Sequence, residues 1–287
     1  MDKTIFFSLF PLLFLFLLTV KAQGDDEDSV FDEGFMPEED IGGGWFEEDD
    51  GENLEGEGFL ALRSEKSGRV VVNVDSFGAV GDGISDDTLA FRRAWDTACS
   101  TNRAVLLVPE GRKYLVNATR FRGPCTDKLI IQISGTIIAP SEPKEWDPKN
   151  PKVWLVFSML DGVTFQGGGE FYGSGKKWWE TSCKKLKTSD CRSGAAPTAL
   201  TIDSSSRITV KNLSLKDSQQ IHFTISRSDS VRVSRLLIQA PSDSPNTDGI
   251  HISDTTDIVV QNSKIGTGAH PSNLHEPKPM IHVLARL

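Results

Sequence analysis

The sequence predicts an all-β chain wound as a right-handed parallel β-helix, a solenoid, with one short helix over its N-terminal end. Three observations predict it. Apolar residues recur at fixed offsets through four successive units. Short apolar strands alternate with glycine-marked turns. One stretch, just before the first regular coils, keeps helical spacing instead.

The repeat is the strongest of these. Phe157, Ile202, Ile225 and Ile252 each open a unit. Six residues on come Val163, Ile208, Val231 and Ile258. Seven residues after those, eight in the first unit, come Phe171, Leu215, Ile238 and Ile265. The last two steps are 23 and 27 residues; the first is 45 and holds a polar insertion. Three short strands per unit make each unit one coil. A coil cannot bury its own apolar face, so coils stack and share a core. A Greek-key sandwich would not keep a six-then-seven offset.

In chain order, Lys3 followed by the apolar run from Ile5 to Val20 reads as a secretory signal, residues 1–22, cleaved after Val20-Lys21-Ala22. The run is short for a membrane anchor. Residues 23–57 form an acidic extension: Asp25 to Glu57 holds sixteen Asp and Glu and no Lys or Arg. Such a stretch cannot bury enough apolar surface to offset its ordering entropy, and disorder is expected. It is either a solvated extension or an acidic pro-segment that imitates an anionic substrate. Residues 58–287 then carry 29 of the 31 basic and 23 of the 40 acidic residues, a net +6, although the whole chain is −9. A mildly basic secreted body suits a polyanionic partner.

Val70-Val71-Val72 reads as the first strand. Ser76 to Gly83 is a turn region whose glycine spacing fits neither a Walker loop nor a dinucleotide fingerprint. Ser85 is the expected N-cap of a helix, with Asp86 and Asp87 in its first turn and Leu89, Phe91, Ala94, Trp95 and Ala98 on its apolar face. This helix covers the open end of the solenoid. Ala104–Pro109, Lys113–Ala118 and Leu129–Ile138 are further strands, the last with a turn at Ser134-Gly135. Four cysteines in a secreted chain argue for disulfides, and the local pairs Cys99–Cys125 and Cys183–Cys191 are favoured. No metal ligand set is seen. Asn117 and Asn212 head glycosylation sequons. The insertion Gly173–Pro197 places Trp178 and Trp179 among Lys176, Lys177, Lys184, Lys185 and Lys187. Either the tryptophans stack on sugar rings while the lysines attract carboxylates, or this is a disulfide-pinned loop that packs its tryptophans on the scaffold.

The candidate site is Asn246-Thr247-Asp248-Gly249-Ile250-His251. A carboxylate sits before an alternating strand. Asn246, Thr247 and Gly249 are expected to shape the backbone around it, Gly249 by allowing close approach. Gln220 and His222 lie one coil earlier, either lining a cleft or as surface polar residues. His251 alternates with Ile250 and Ile252 and faces away from the core, meeting either solvent or a uronate.

From about Val70 to Gly268 these residues resemble plant-type polygalacturonases of glycoside hydrolase family 28. The resemblance rests on Ser76–Gly83 with Ser85-Asp86-Asp87-Thr88, and more specifically on Ser244-Pro245-Asn246-Thr247-Asp248-Gly249-Ile250-His251. It implies the right-handed β-helix and inverting hydrolysis of α-1,4-galacturonan, with Asp248 as a water-activating carboxylate and no cofactor. The implied partner is pectic homogalacturonan in the cell wall, with no nucleic acid and no membrane anchor, and the implied state a monomer. The family's aspartate pair follows an Ile-Gly-Thr-Gly segment. Here Ala269-His270 follows Ile265-Gly266-Thr267-Gly268. Residues 58–268 thus read as a partial domain with C-terminal coils missing, and 269–287 as a divergent tail without repeat register. The competing expectation is an inactive pectin-binding or vestigial isoform. A bare coil edge after Ile265 is expected, unless the apolar Met280, Ile281, Val283 and Leu284 fold back on it.

Overall fold

The computed structural model describes residues 63–64, 68–146, 149, 152–189, 191, 196–268 and 281–285. The signal segment 1–22, the acidic extension 23–57 and residues 269–280 and 286–287 of the tail lie outside the described residues.

The chain is a right-handed parallel β-helix. Five strands stack as a front sheet: Thr119–Arg122, Val153–Ser158, Thr198–Asp203, Phe223–Ser226 and Ile250–Ser253. A 13-stranded sheet forms the other faces. Each coil of the regular region contributes one front strand and one long strand, such as Ser206–Lys216, Asp229–Gln239 and Thr256–Gly266, which bends to line two faces. The predicted repeat positions are ladder partners: Phe157 with Ile202, Ile202 with Ile225, Ile225 with Ile252, and Leu215 with Ile238. The extra residue of the first unit is absorbed between Phe165 and Glu170, paired to Val210 and Ser214. Gly169 is required there, because a Cβ would lie 2.3 Å from the Gly135 carbonyl oxygen.

The coil corners use left-handed backbone, and in register. Met159, Ser204, Arg227 and Asp254 have φ of 58, 50, 48 and 47° at the first corner. Arg207, Ser230 and Asp257 repeat this at 52, 54 and 45°, and Asn212, Arg235 and Asn262 at 52, 53 and 51°. Left-handed backbone is costly for residues with a Cβ. The corners hold because each stacks on its neighbour and its amides are served. Inside the first corner, buried hydroxyls form a ladder: the Leu160 N–H donates to Ser205 Oγ (3.1 Å), Ser205 N–H to Ser228 Oγ (3.2 Å) and Ser228 N–H to Thr255 Oγ1 (3.4 Å).

The helix covering the N-terminal end is α1, Thr88–Ser100, and it starts later than expected. The strand Asp82–Asp86 pairs with Lys113–Leu115 and holds the chain extended through Asp86. Ser85 therefore does not cap: its hydroxyl donates to Asp82 Oδ2 at 2.9 Å. Asp87 occupies the cap position without a side-chain cap bond. Its buried carboxylate instead accepts from Val80 N–H (2.6 Å) and Gly81 N–H (3.2 Å), holding the glycine turn against the helix start. Burial pushes that carboxyl up from its ordinary value. The buried face of α1 is Ala90, Phe91, Ala94, Trp95 and Ala98; Leu89 faces solvent. Trp95 lies 5.2 Å from the Phe121 ring and 5.5 Å from Phe157, and Phe157 lies 4.9 Å from Phe165. An aromatic stack thus runs from the helix into the coils. Cys99–Cys125 ties the helix end to the loop after Thr119–Arg122.

Two edge expectations are corrected. The Thr256–Gly266 edge is covered by Ile281–Ala285, which pairs antiparallel to it. Ile252, placed in the core by its spacing, is 39% exposed, whereas its ladder partner Ile225 is fully buried. Among the described residues no strand pairs beyond Ile250–Ser253 in the front sheet.

Candidate active site

Asp248 stands two residues before the front strand Ile250–Ser253, at the end of the loop that follows Gln239. Its backbone is clamped to the coil before it. The Asp248 carbonyl accepts from His222 N–H at 2.9 Å, and the Gly249 carbonyl accepts from Phe223 N–H at 3.0 Å. The Asp248 carboxylate is left partly exposed, its Oδ2 2.7 Å from His251 Nε2. His251 faces outward as strand alternation requires, and what it meets is this carboxylate.

Thr247 and Gly249 act as shaping residues by specific contacts. Thr247 is fully buried. Ser244 O–H donates to the Pro241 carbonyl (2.5 Å), Thr247 Oγ1 lies 2.6 Å from Ser244 Oγ, and Gly268 N–H donates to Thr247 Oγ1 (3.1 Å). This chain pins the loop on both sides of the carboxylate. Gly249 permits a close approach, by protein rather than sugar: a Cβ there would sit 2.5 Å from Ile265 Cγ2. Asn246 has φ 58°, and its Oδ1 accepts from the Lys184 ammonium. Ser244, Gly268 and Lys184 were not singled out as site residues. The first two stand in the quoted Ser244–His251 and Ile265–Gly268 segments without a role read from them, and Lys184 comes from 62 residues away.

His222 corrects its expectation. It neither lines a cleft nor lies on the surface: it is fully buried beneath Asp248. Nδ1 is 3.1 Å from the Asp248 carbonyl oxygen and Nε2 3.1 Å from that of Gln239. Burial holds its pKa below the ordinary 6.5, although both carbonyls and the nearby Asp217 oppose the shift. Parallel stacking explains the burial. The turn between successive coils closes over the ring, whose nitrogens face carbonyls that also accept backbone N–H bonds from His222 and Asp217. Gln220 is half-buried, three residues before Phe223 as Thr247 is before Ile250.

The tryptophans of the insertion pack on the scaffold. Trp178 and Trp179, in the short helix α2 (Lys176–Glu180), are buried, so sugar stacking by their faces is excluded. Trp179 Nε1–H donates to the Ser218 carbonyl at 3.1 Å, and Trp178 meets Trp146 edge-on at 5.3 Å. The loop that follows is closed by Cys183–Cys191 and reaches the Asp248 loop, where Lys185 pairs with Asp243 at 2.6 Å. Of the sequon residues, Asn117 donates its amide to Asp86 (2.8 Å), and Asn212 is exposed at a corner. Among the described residues no three His, Cys, Asp or Glu side chains are grouped to hold a metal ion, and no helix is long and apolar enough to cross a membrane.

The sequence matches the family model described as Glycosyl hydrolases family 28 over residues 99–270, more than half of the chain. The chain belongs to this family. It is 47% identical over 210 residues to a polygalacturonase of Persea americana, covering 73% of this chain and 45% of that protein. It is 42% identical over 262 residues to Polygalacturonase ADPG1 of Arabidopsis thaliana, covering 89% of this chain and 59% of that protein. The chain thus spans about half the length of the curated relatives it matches. Among solved structures, an endo-xylogalacturonan hydrolase from Aspergillus tubingensis aligns with TM-score 0.57 and 23% identity, over 68% of this chain and 51% of that one. An exopolygalacturonase from Thermotoga maritima aligns at 0.55 and 19%, over 69% and 52%. These two establish the family 28 member's β-helical fold and nothing finer.

Proposed function

We propose that this protein is a polygalacturonase-type hydrolase that cuts the α-1,4 bonds of galacturonan in pectin, with Asp248 as a water-activating carboxylate. The observation that carries this reading is the Asp248 carboxylate itself, partly exposed on a backbone held by His222 from below and by Thr247 alongside. A general base needs this combination: access to water, and a position held by packing.

Inverting hydrolysis uses a second, protonated carboxyl on the far side of the sugar, roughly 6.5–9.5 Å from the base so that water fits between them. Among the described residues the ionisable partner hydrogen-bonded to Asp248 is His251, at Oδ2, and the Asp248 side chain stays 38% exposed. Several relatives bear the name polygalacturonase, and the net positive charge of residues 58–287 favours a polyanionic substrate. The N-terminal signal pattern fits secretion, with the plant cell wall as the place of action and a monomer as the working state.

Ala269-His270 stands after Ile265-Gly266-Thr267-Gly268, so the decisive test uses this chain. Reducing ends released from polygalacturonate are measured for the purified protein and for Asp248→Asn, with circular dichroism to check folding. The expected result is release that falls roughly 10²–10⁴-fold in the variant. No release from folded wild-type chain overturns the proposal. Calcium-dependent cleavage with an unsaturated product would reassign the chain as a lyase.

A further inference from the structure

We infer that Lys184, with the side-chain amide of Asn246, forms a carboxylate-binding subsite on the loop that carries Asp248, presented there by the Cys183–Cys191 loop. The inference rests on the galacturonan reading above and names the group that reads the uronate charge.

Two lysines of one loop reach the same neighbouring loop and differ in what they meet. Lys185 pairs with Asp243 at 2.6 Å, and this hydrogen bond lowers the Asp243 pKa. Its charge is neutralised, and it anchors one loop to the other. Lys184 bonds to Asn246 Oδ1, a neutral acceptor, and forms no ion pair among the described residues. Its positive charge is therefore uncompensated, and it is held against Asn246, which lies two residues before Asp248. An ammonium has three donors, and Asn246 occupies one. The Asn246 oxygen faces the lysine, so its two amide N–H donors are directed elsewhere, with no protein acceptor among the described residues. A fixed cation beside a pair of N–H donors is what an anionic carboxylate binds in charge-assisted fashion.

The supports of this arrangement are specific. Trp179 is bonded to Ser218 and fixes the start of the loop, and the disulfide closes its far side. Lys187 Nζ, by contrast, turns back toward the Cys183 carbonyl at 3.4 Å and takes no part in the subsite. Asn246 holds left-handed backbone between the buried Ser244 and Thr247. Both donors thus sit on segments fixed by packing, and the Lys184–Asn246 bond orients them before any ligand arrives, which lowers the ordering entropy lost on binding.

The test is calorimetric titration of hexagalacturonate, and of its fully methyl-esterified form, into the full chain carrying Asp248→Asn so that no cleavage competes. Lys184→Ala is expected to weaken hexagalacturonate binding roughly tenfold or more, the loss of one charge-assisted contact, and to leave the ester unaffected. Lys184→Arg is expected to restore most of the affinity. Lys187→Ala removes the same charge from the same loop and is expected to change it less than about twofold, a surface charge being largely screened. Equal losses for Lys184→Ala and Lys187→Ala overturn the subsite in favour of general attraction. Unchanged binding by Lys184→Ala overturns the subsite while the galacturonan reading stands. Failure of the parent chain to bind hexagalacturonate overturns both.

Discussion

The two ends of the described β-helix are finished in different ways. At the α1 end the interior is closed by apolar contact: Ala94 and Ala98 are fully buried, and Trp95 leads an aromatic stack through Phe121, Phe157 and Phe165. At the Asp248 end the interior is rich in polar groups. Ser218, His222, Ser244, Thr247 and Ser263 are all fully buried and, with Ser228 and Thr255, hydrogen-bonded. Apolar contact is non-directional and stabilises strongly whatever the detail. A hydrogen bond loses its value within tenths of an ångström. The first end supplies stability, and the second supplies the position of one carboxylate.

This contrast can be broken most directly at Trp95. Trp95→Ala is expected to lower unfolding free energy by about 3–5 kcal/mol, read from urea melts, because it opens a cavity in the closed end. A loss under about 1 kcal/mol would mean that α1 is not the stabilising cap. Next in size, Gly249→Ala forces Ile265 to move and is expected to cost about 1–3 kcal/mol. The same change should displace Asp248 and lower activity well beyond the stability loss. Activity that merely tracks the folded fraction would remove Gly249 from the site.

A third measurement addresses His222. Its pKa is depressed in the folded state, so the folded protein binds fewer protons than the unfolded chain below the ordinary 6.5. Its contribution is present above pH 6.5 and is lost as pH falls toward the folded value. Wild-type stability should therefore decline by roughly 1 kcal/mol per pH unit in that window. His222→Gln should flatten the decline. An unchanged acid limb would count against a neutral buried ring. The smallest effect is at Ile252, whose side chain is 39% exposed. Ile252→Ala is expected to cost less than about 1 kcal/mol, against several for its buried ladder partner in Ile225→Ala. Equal costs would erase the difference between a covered and an uncovered coil.

Much of the scaffold was legible because its signal is local and periodic. The offsets through Ile202, Ile208 and Leu215 are set by strand length and corner length, and identical coils repeat them. Asp248 was legible for a related reason: its neighbours in sequence, Thr247 and Gly249, are also its neighbours in space. The start of α1 was misplaced because the strand Asp82–Asp86 is held extended by Lys113–Leu115, a partner about thirty residues away.

By itself, then, the sequence determined the coil repeat, the apolar interior, the covering helix and the carboxylate. Only the tertiary structure decided which polar residues are inside. His222 and Gln220 read alike in the sequence, yet the ring is enclosed because two carbonyls from different coils converge on it. Lys184 and Lys185 are adjacent and chemically the same, yet one is neutralised by Asp243 and the other is not. Left-handed corners at Ser204 and Arg227 carry no glycine to announce them. Burial, charge pairing and corner strain are each set by groups far along the chain, and a one-dimensional pattern carries no record of which of those groups will meet.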